Sequence, residues 1–214
     1  MTKPRRYEDP CGIARALDRV GERWALLVVR ELLLGPKRFS DLRAGLPTVS
    51  PNVLSQRLDE LGEDGVVVRR QLDPPARTWI YELTPRGREL EELLLTLARW
   101  GSRAGPPTKG DLSPDALLLA LRTTFTPDPQ ARDIAVELRL DSDFSRVASA
   151  GGTIAVTRER SESAEATITT DAVTLRRLVF GDLALAGAKK RGAIQIEGSE
   201  RAAKQFLRSF ARPS

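Results

Sequence analysis

The 214-residue sequence has no histidine and a single cysteine, Cys11. A zinc site of the usual Cys/His kind therefore cannot be assembled within one chain, and histidine-based catalytic triads are excluded. No intrachain disulfide can form, which fits a reducing compartment. No apolar run approaches the roughly 20 residues that a membrane span needs. The opening stretch, Met1 to Pro10, has basic residues but no apolar core behind them, so it does not read as a signal peptide. No glycine-rich phosphate loop follows a strand-like segment. Carboxylate chemistry stays formally open. The expectation is a cytoplasmic protein that is not an enzyme, has no membrane association, and needs no metal and no cofactor.

What is present is a mixed-charge globular composition with a net charge of +5. The basic residues are spread over both halves, which is compatible with phosphate binding and equally with a solvated surface. Regular patterns are interrupted at residues 101–114 by Gly, Pro, Ser and Thr, which marks a seam. It divides the chain into residues 1–104, a linker at 105–112, and residues 113–214. The fold class expected is α+β.

In the first half, Trp24, Leu27, Val28 and Leu32 recur at helical spacing until Gly35-Pro36 stops the pattern. A short helix from about Phe39 to Ala44 follows. Ser50 then reads as an N-cap and Pro51 as the first residue of the next helix, where its missing N–H costs nothing. Val53, Leu54, Leu58 and Leu61 form the buried stripe of that helix. Segment Val66–Leu72 is β-branched and extended, Asp73–Arg77 is a turn, and Thr78–Leu83 returns as the second strand of a hairpin. Thr84-Pro85 opens a last helix carrying Leu90, Leu93, Leu94, Leu97 and Trp100 on one face, too apolar to stay without a partner.

Helix, short helix, turn, capped helix and hairpin is the order of a winged helix-turn-helix. Opposite the apolar stripe of the capped helix lie Asn52, Ser55, Gln56 and Asp59. Neutral hydrogen-bonding groups fill the first two turns, and acids begin only at Asp59. Such a helix can point its N-terminus into a major groove, with Asn and Gln reading base edges bidentately. Candidate DNA-contact residues are Lys37, Arg38, Ser50, Pro51, Asn52, Ser55, Gln56, Arg57 and Arg77, the cations serving phosphates and Arg77 reaching from the hairpin tip. An ordinary amphipathic helix with a solvated polar face is the alternative for this element taken alone.

The stretch from Cys11 to about Gly101 resembles the HxlR family of bacterial winged-helix regulators. The resemblance rests on Cys11, Gly21-Glu22-Arg23-Trp24, Arg30-Glu31-Leu32 and Gly35-Pro36-Lys37-Arg38-Phe39. It continues through Leu46-Pro47, Ser50-Pro51-Asn52-Val53-Leu54-Ser55-Gln56-Arg57-Leu58, Glu63-Asp64-Gly65 and Tyr81-Glu82-Leu83-Thr84-Pro85-Arg86-Gly87. It implies a homodimer, built from the N-terminal and last helices of this half, that binds palindromic double-stranded DNA. It implies for Cys11 a use as redox or electrophile sensor, which its place before a helix and Arg15 one turn on favour and Asp9 opposes. The alternative is a small, partly buried residue near the dimer interface.

The second half opens with Leu117, Leu118, Leu121 and Phe125 on one helical face. Ile134, Val136, Leu138 and Leu140 alternate with Ala135, Glu137 and Arg139, predicting a half-buried strand. Shorter strands are predicted at 144–148, 154–157 and 166–170, then a helix capped by Asp171, a strand at 193–197 and a final helix. This order resembles the sterol-carrier-protein-2-like (SCP2-like) fold, on Ala166–Asp171, Phe180-Gly181-Asp182 and Gly192–Ser199. The resemblance implies an α/β layer around an apolar tunnel that binds a hydrophobic small molecule. Tunnel candidates are Leu117, Leu121, Phe125, Phe180, Leu183, Leu185, Phe206 and Phe210; alternatively these residues simply fill the core. Lys189-Lys190-Arg191 reads as solvated surface.

Three functions are compatible with this sequence. The first is a one-component regulator whose C-terminal domain senses an apolar effector. The second is a regulator that senses through Cys11. The third is a lipid-binding or transfer protein that uses its first half only for assembly.

Overall fold

The computed structural model describes residues 6–103, 110–141, 143–161 and 163–211. The chain partitions into two compact units that divide after Leu94. Most of the expected linker, residues 105–109, lies outside the described residues, while Gly110, Asp111 and Leu112 have no regular secondary structure.

The first unit is built from α1 (Gly12–Val20), α2 (Ala25–Leu32), α3 (Phe39–Gly45), α4 (Pro51–Glu63), the antiparallel hairpin β1 (Val67–Gln71) and β2 (Trp79–Leu83), and α5 (Pro85–Arg88). Val28, Val29, Leu32, Leu42, Leu54, Leu58 and Leu61 are buried where α2, α3 and α4 pack together and against the hairpin. Burying one such side chain contributes about 2 kcal/mol, so this small cluster is what orients α4. Local chemistry sets the ends of α4. Ser50 Oγ accepts the Val53 N–H at 3.4 Å, Pro51 occupies the first turn, and Gly65 leaves the helix at φ +68°. That left-handed turn lets the Val66 N–H return to the Leu61 carbonyl and feeds the chain into β1.

The expected long helix after Thr84-Pro85 is divided. Thr84 Oγ1 accepts the Gly87 N–H at 3.0 Å to cap α5, and α6 (Leu90–Gly101) starts afresh after Glu89. Of its apolar stripe only Leu94 is buried; Leu93, Leu97 and Trp100 are exposed, Trp100 by 71%.

The second unit is α+β, with one five-stranded sheet and helices packed on it. Its elements are α7 (Pro114–Thr124), β3 (Ile134–Leu140), β4 (Asp143–Ala150), β5 (Thr153–Thr157), β6 (Ala166–Thr170), α8 (Ala172–Val179), α9 (Leu185–Lys190), β7 (Ile194–Gly198) and α10 (Glu200–Arg208). The strand order is β5-β4-β3-β6-β7, antiparallel except for β3 beside β6. A parallel pair needs a long connection, and the chain from β3 to β6, which includes β4 and β5, supplies it. Helix α10 packs on β3, β6, β7 and α8, and α7 packs on β5 and α8. Asp171 caps α8 as expected, accepting the Thr174 N–H at 2.7 Å.

One expectation for this unit changes. Glu137 is not on a solvated strand face: it is 4% exposed, and its carboxylate accepts from Arg139 and from the Ser161 N–H. Leu117, Leu121, Phe206 and Phe210 are buried, Phe206 only 2% exposed, as the side chains of a solid core and of an enclosed tunnel both are. Phe125, Phe180, Leu183 and Leu185 are half-buried.

Candidate nucleic-acid interface

The exposed face of α4 carries Asn52, Ser55, Gln56 and Asp59, all accessible, while Leu54, Leu58 and Leu61 point into the core. Ser50 and Pro51 are exposed at its N-terminus. The free N–H groups of the first turn and the positive end of the helix dipole therefore lie beside side chains that can pair with base edges. Gln56 Nε2 donates to Glu60 Oε1 at 2.8 Å, one turn further on. In the free chain this bond points the amide along the helix surface.

The expected cations fall into two groups. Arg38 is exposed at the start of α3, where its backbone N–H donates to Asp41 Oδ2 at 3.1 Å. Arg77 is exposed in the hairpin turn, its carbonyl accepting from Gln71 Nε2 at 3.1 Å. Both of these residues are solvent-exposed. Lys37 and Arg57, expected as phosphate contacts, are corrected by their surroundings. The Lys37 side chain is buried with its Nζ 2.7 Å from Glu31 Oε2, and its backbone exchanges both hydrogen bonds with Tyr81. Arg57 is 8% exposed, paired with Glu60 and lying 3.9 Å from Glu22. Both charges are paired with carboxylates inside the unit.

The hairpin also carries cationic groups that residue order alone did not reveal. Arg69 stacks its guanidinium over Trp79, 4.5 Å from the ring centroid, and lies 5.9 Å from Tyr81. The pairing register, with Arg69 opposite Tyr81 and Gln71 opposite Trp79, places these four on one face. Alternation in two strands held this signal, but only their register joins them. Arg70 forms an ion pair with Glu82 across the same hairpin.

Among the described residues no group of three or more His, Cys, Asp or Glu could hold a metal ion, and no helix is long and apolar enough to cross a membrane. Cys11 is exposed at the N-cap of α1, where Sγ accepts the Ala14 N–H at 3.3 Å. Asp9 Oδ1 accepts the Cys11 N–H at 2.9 Å, so the acidic neighbour is held beside the thiol.

A trihelical core, a capped helix with an open polar face and an adjacent two-stranded wing define a winged helix-turn-helix protein. Residues 19–109 match the family described as HxlR-like helix-turn-helix. The chain is 39% identical over 88 residues to the HTH-type transcriptional regulator YvaP of Bacillus subtilis, covering 41% of this chain and 82% of that one. It is 38% identical over 102 residues to the HTH-type regulator Rv3095 of Mycobacterium tuberculosis, covering 45% and 64%. The reduced form of the transcriptional regulator YodB from B. subtilis is 29% identical, covering 47% of this chain and 100% of that chain with a TM-score of 0.41. The chain belongs to the HxlR-like family of helix-turn-helix transcriptional regulators, which are DNA-binding proteins without catalytic activity. The family match ends at residue 109, so most of the second unit lies outside it.

Proposed function

We propose that the chain binds a palindromic operator as a homodimer, reading bases with Asn52, Ser55 and Gln56 of α4 and holding phosphates with Arg38 and Arg77. The observation that carries this reading is the neutral, exposed face of the first two turns of α4 beside a helix N-terminus. The dimer is supported by Ile13 and Leu17 of α1 and by Leu93, Leu97 and Trp100 of α6, large apolar side chains that each remain more than a third exposed in the single chain. Twofold symmetry of the dimer would impose palindromy on its site. Selection from a random duplex pool, followed by titration of the selected duplex, tests the reading. Two chains per duplex are expected, and binding to no duplex overturns it.

The second unit is the module through which a small molecule would act. In the SCP2-like version of this reading an apolar effector enters past half-buried Phe125, Phe180, Leu183 and Leu185, with Leu117, Leu121, Phe206 and Phe210 as the packed wall. An effector changes operator affinity only by its preference for one arrangement of the dimer. Extraction of the purified protein into organic solvent, with mass analysis of the extract, reads out such a ligand. The domain limits that go with this reading are 1–104 and 113–214.

A second reading places the sensor at Cys11. Its exposed sulfur, accepting a helix N-terminal N–H, supports it. Cys11→Ser keeps the cap, since serine accepts the same bond, and should abolish an operator response to diamide. A variant that responds like the parent protein removes Cys11 from consideration.

A further inference from the structure

The second unit carries a groove of about 500 Å³ lined by none of the candidate DNA-contact or tunnel residues. One wall is α10, which presents Arg201, Lys204 and Arg208; the other is the segment after α7, with Thr126 and Asp128. The cations lie at i, i+3 and i+7, hence on one helix face, and span about 10 Å along it. Arg201 and Arg208 are exposed and make no ion pair among the described residues. Lys204 approaches Glu200 at 3.3 Å, a carboxylate that already accepts from Lys189 at 2.9 Å.

The walls are fastened to each other. The Thr126 N–H donates to the Ser209 carbonyl at 2.9 Å and the Ala211 N–H to that of Thr124 at 2.7 Å. Gln205 Nε2 donates to the Arg132 carbonyl at 2.6 Å. Phe125 meets Phe210 edge-on at 6.1 Å, and Phe210 meets Phe206 at 5.1 Å. A groove held this way needs little ordering when a ligand arrives, and its volume lies within the range of small-molecule sites.

Three cations face one lining carboxylate, Asp128, whose Oδ1 accepts the Gln130 N–H at 2.9 Å and whose other oxygen can accept from a ligand. Guanidinium groups suit carboxylates and phosphates, and an accepting carboxylate opposite them suits a hydroxyl. A nucleic-acid track would favour an unbroken cationic strip, without an acid in its wall. We propose that this groove binds a small polyhydroxylated organic anion with two acidic groups, anchored by Arg201 and Arg208 at its ends and by Lys204 between them, with a ligand hydroxyl donating to Asp128.

This site is independent of operator recognition by α4, and its test needs no DNA to succeed. Calorimetric titration of the full chain with fructose 1,6-bisphosphate should show saturable binding of one molecule per chain, with fructose silent and inorganic phosphate weaker. Arg201→Ala and Arg208→Ala, both at exposed positions, should each weaken binding roughly tenfold, the effect of losing one charge-assisted contact. Asp128→Asn should narrow the gap between fructose 1,6-bisphosphate and phosphate. Melting curves of the variants that match the parent exclude unfolding as the cause. No saturable heat up to about 10 mM, far weaker than the micromolar range of specific sites, overturns the proposal. So does binding as tight as the parent's by both arginine variants. If those variants instead lower the salt dependence of duplex binding and leave sugar bisphosphate binding unchanged, the patch is a nucleic-acid contact and the proposal fails.

Discussion

The ammonium group of Lys37 donates to Glu31 Oε2 at 2.7 Å, with the Glu31 side chain wholly buried and Arg30 donating to its other oxygen at 2.8 Å. The pair joins α2 to the strand-like residue that bridges β2, because Lys37 and Tyr81 exchange backbone hydrogen bonds. Glu31 also fills the space beside Gly45 at the end of α3. A Cβ on Gly45 would lie 2.2 Å from Glu31 Oε2. One carboxylate thus holds α2, α3 and the wing in the arrangement that presents α4.

Removing Lys37 should therefore act on stability before it acts on DNA. Lys37→Gln leaves a buried carboxylate with less compensation and should destabilise the first unit by about 3 kcal/mol, the lower end for a broken buried pair. Gly45→Ala should destabilise it as well, since the nearest atoms belong to a held carboxylate. Urea denaturation followed by tryptophan fluorescence measures both. Parent-like midpoints would contradict the structural role of the pair.

The exposed groups of the DNA face separate into two kinds of effect. Asn52→Ala and Gln56→Ala should each cost about 1–3 kcal/mol on the selected operator and little on random duplex. Arg38→Ala and Arg77→Ala should weaken both duplexes alike, and each should reduce the slope of log affinity against log salt by about 1. Arg57→Gln should leave that slope unchanged, because its charge is already paired with Glu60 and Glu22. Fluorescence anisotropy across a salt series distinguishes these outcomes.

The exposed stripe on α6 leads to a prediction about assembly. Leu93→Glu and Trp100→Glu place charge on side chains that are 49% and 71% exposed in the single chain. Each should convert the proposed dimer to monomers in sedimentation velocity while leaving the helix content of the chain unchanged. Operator affinity should fall with the loss of the second half-site contact. Monomeric parent protein at micromolar concentration would refute the dimer itself.

Acid should weaken the second unit through two carboxylates. Burial pushes the Glu137 carboxyl upward, but the Ser161 N–H and the Arg139 guanidinium outweigh it and hold the group below its ordinary value of 4.5. Asp171 is similarly lowered from 3.8: partial burial opposes, and the hydroxyl and N–H of Thr174 prevail. A group depressed in the folded state contributes stability that is present above its unfolded pKa and lost as pH falls through the folded one. Stability should therefore decline below about pH 4.5. Glu137→Gln should flatten part of that decline when urea midpoints are compared from neutral pH to pH 3. An E137Q profile parallel to that of the parent protein would show that Glu137 has no part in it.

Features set by neighbours along the chain are legible in the amino-acid sequence. The Ser50-Pro51 start of α4 depends on a bond from Val53 back to Ser50, three residues apart. The hairpin follows from two β-branched and aromatic runs around a proline-containing turn, and the neutral face of α4 follows from helical periodicity. Motif order is enough to point to the helix-turn-helix family. The second unit's strand positions are equally local, whereas the parallel pairing of β3 with β6 is not, since it joins residues about thirty positions apart in the chain.

The sequence by itself determined the order of the main helices and strands, the capped start of α4, which of its faces is polar, and which kind of DNA-binding module the first half forms, because each rests on hydrogen bonds and periodicities within a few residues; the break between α5 and α6 did not show in it. Only the tertiary structure decided which charges are available. Lys37 and Arg38 are adjacent, yet one is buried against Glu31 and the other is exposed. Arg57 sits beside Gln56, yet it turns to Glu60 and Glu22 while the face next to it stays open. Glu60 is a local partner of Arg57, three residues on in the same helix, but the burial of Arg57 and its approach to Glu22 are set by folding, as is the burial of Lys37 against Glu31.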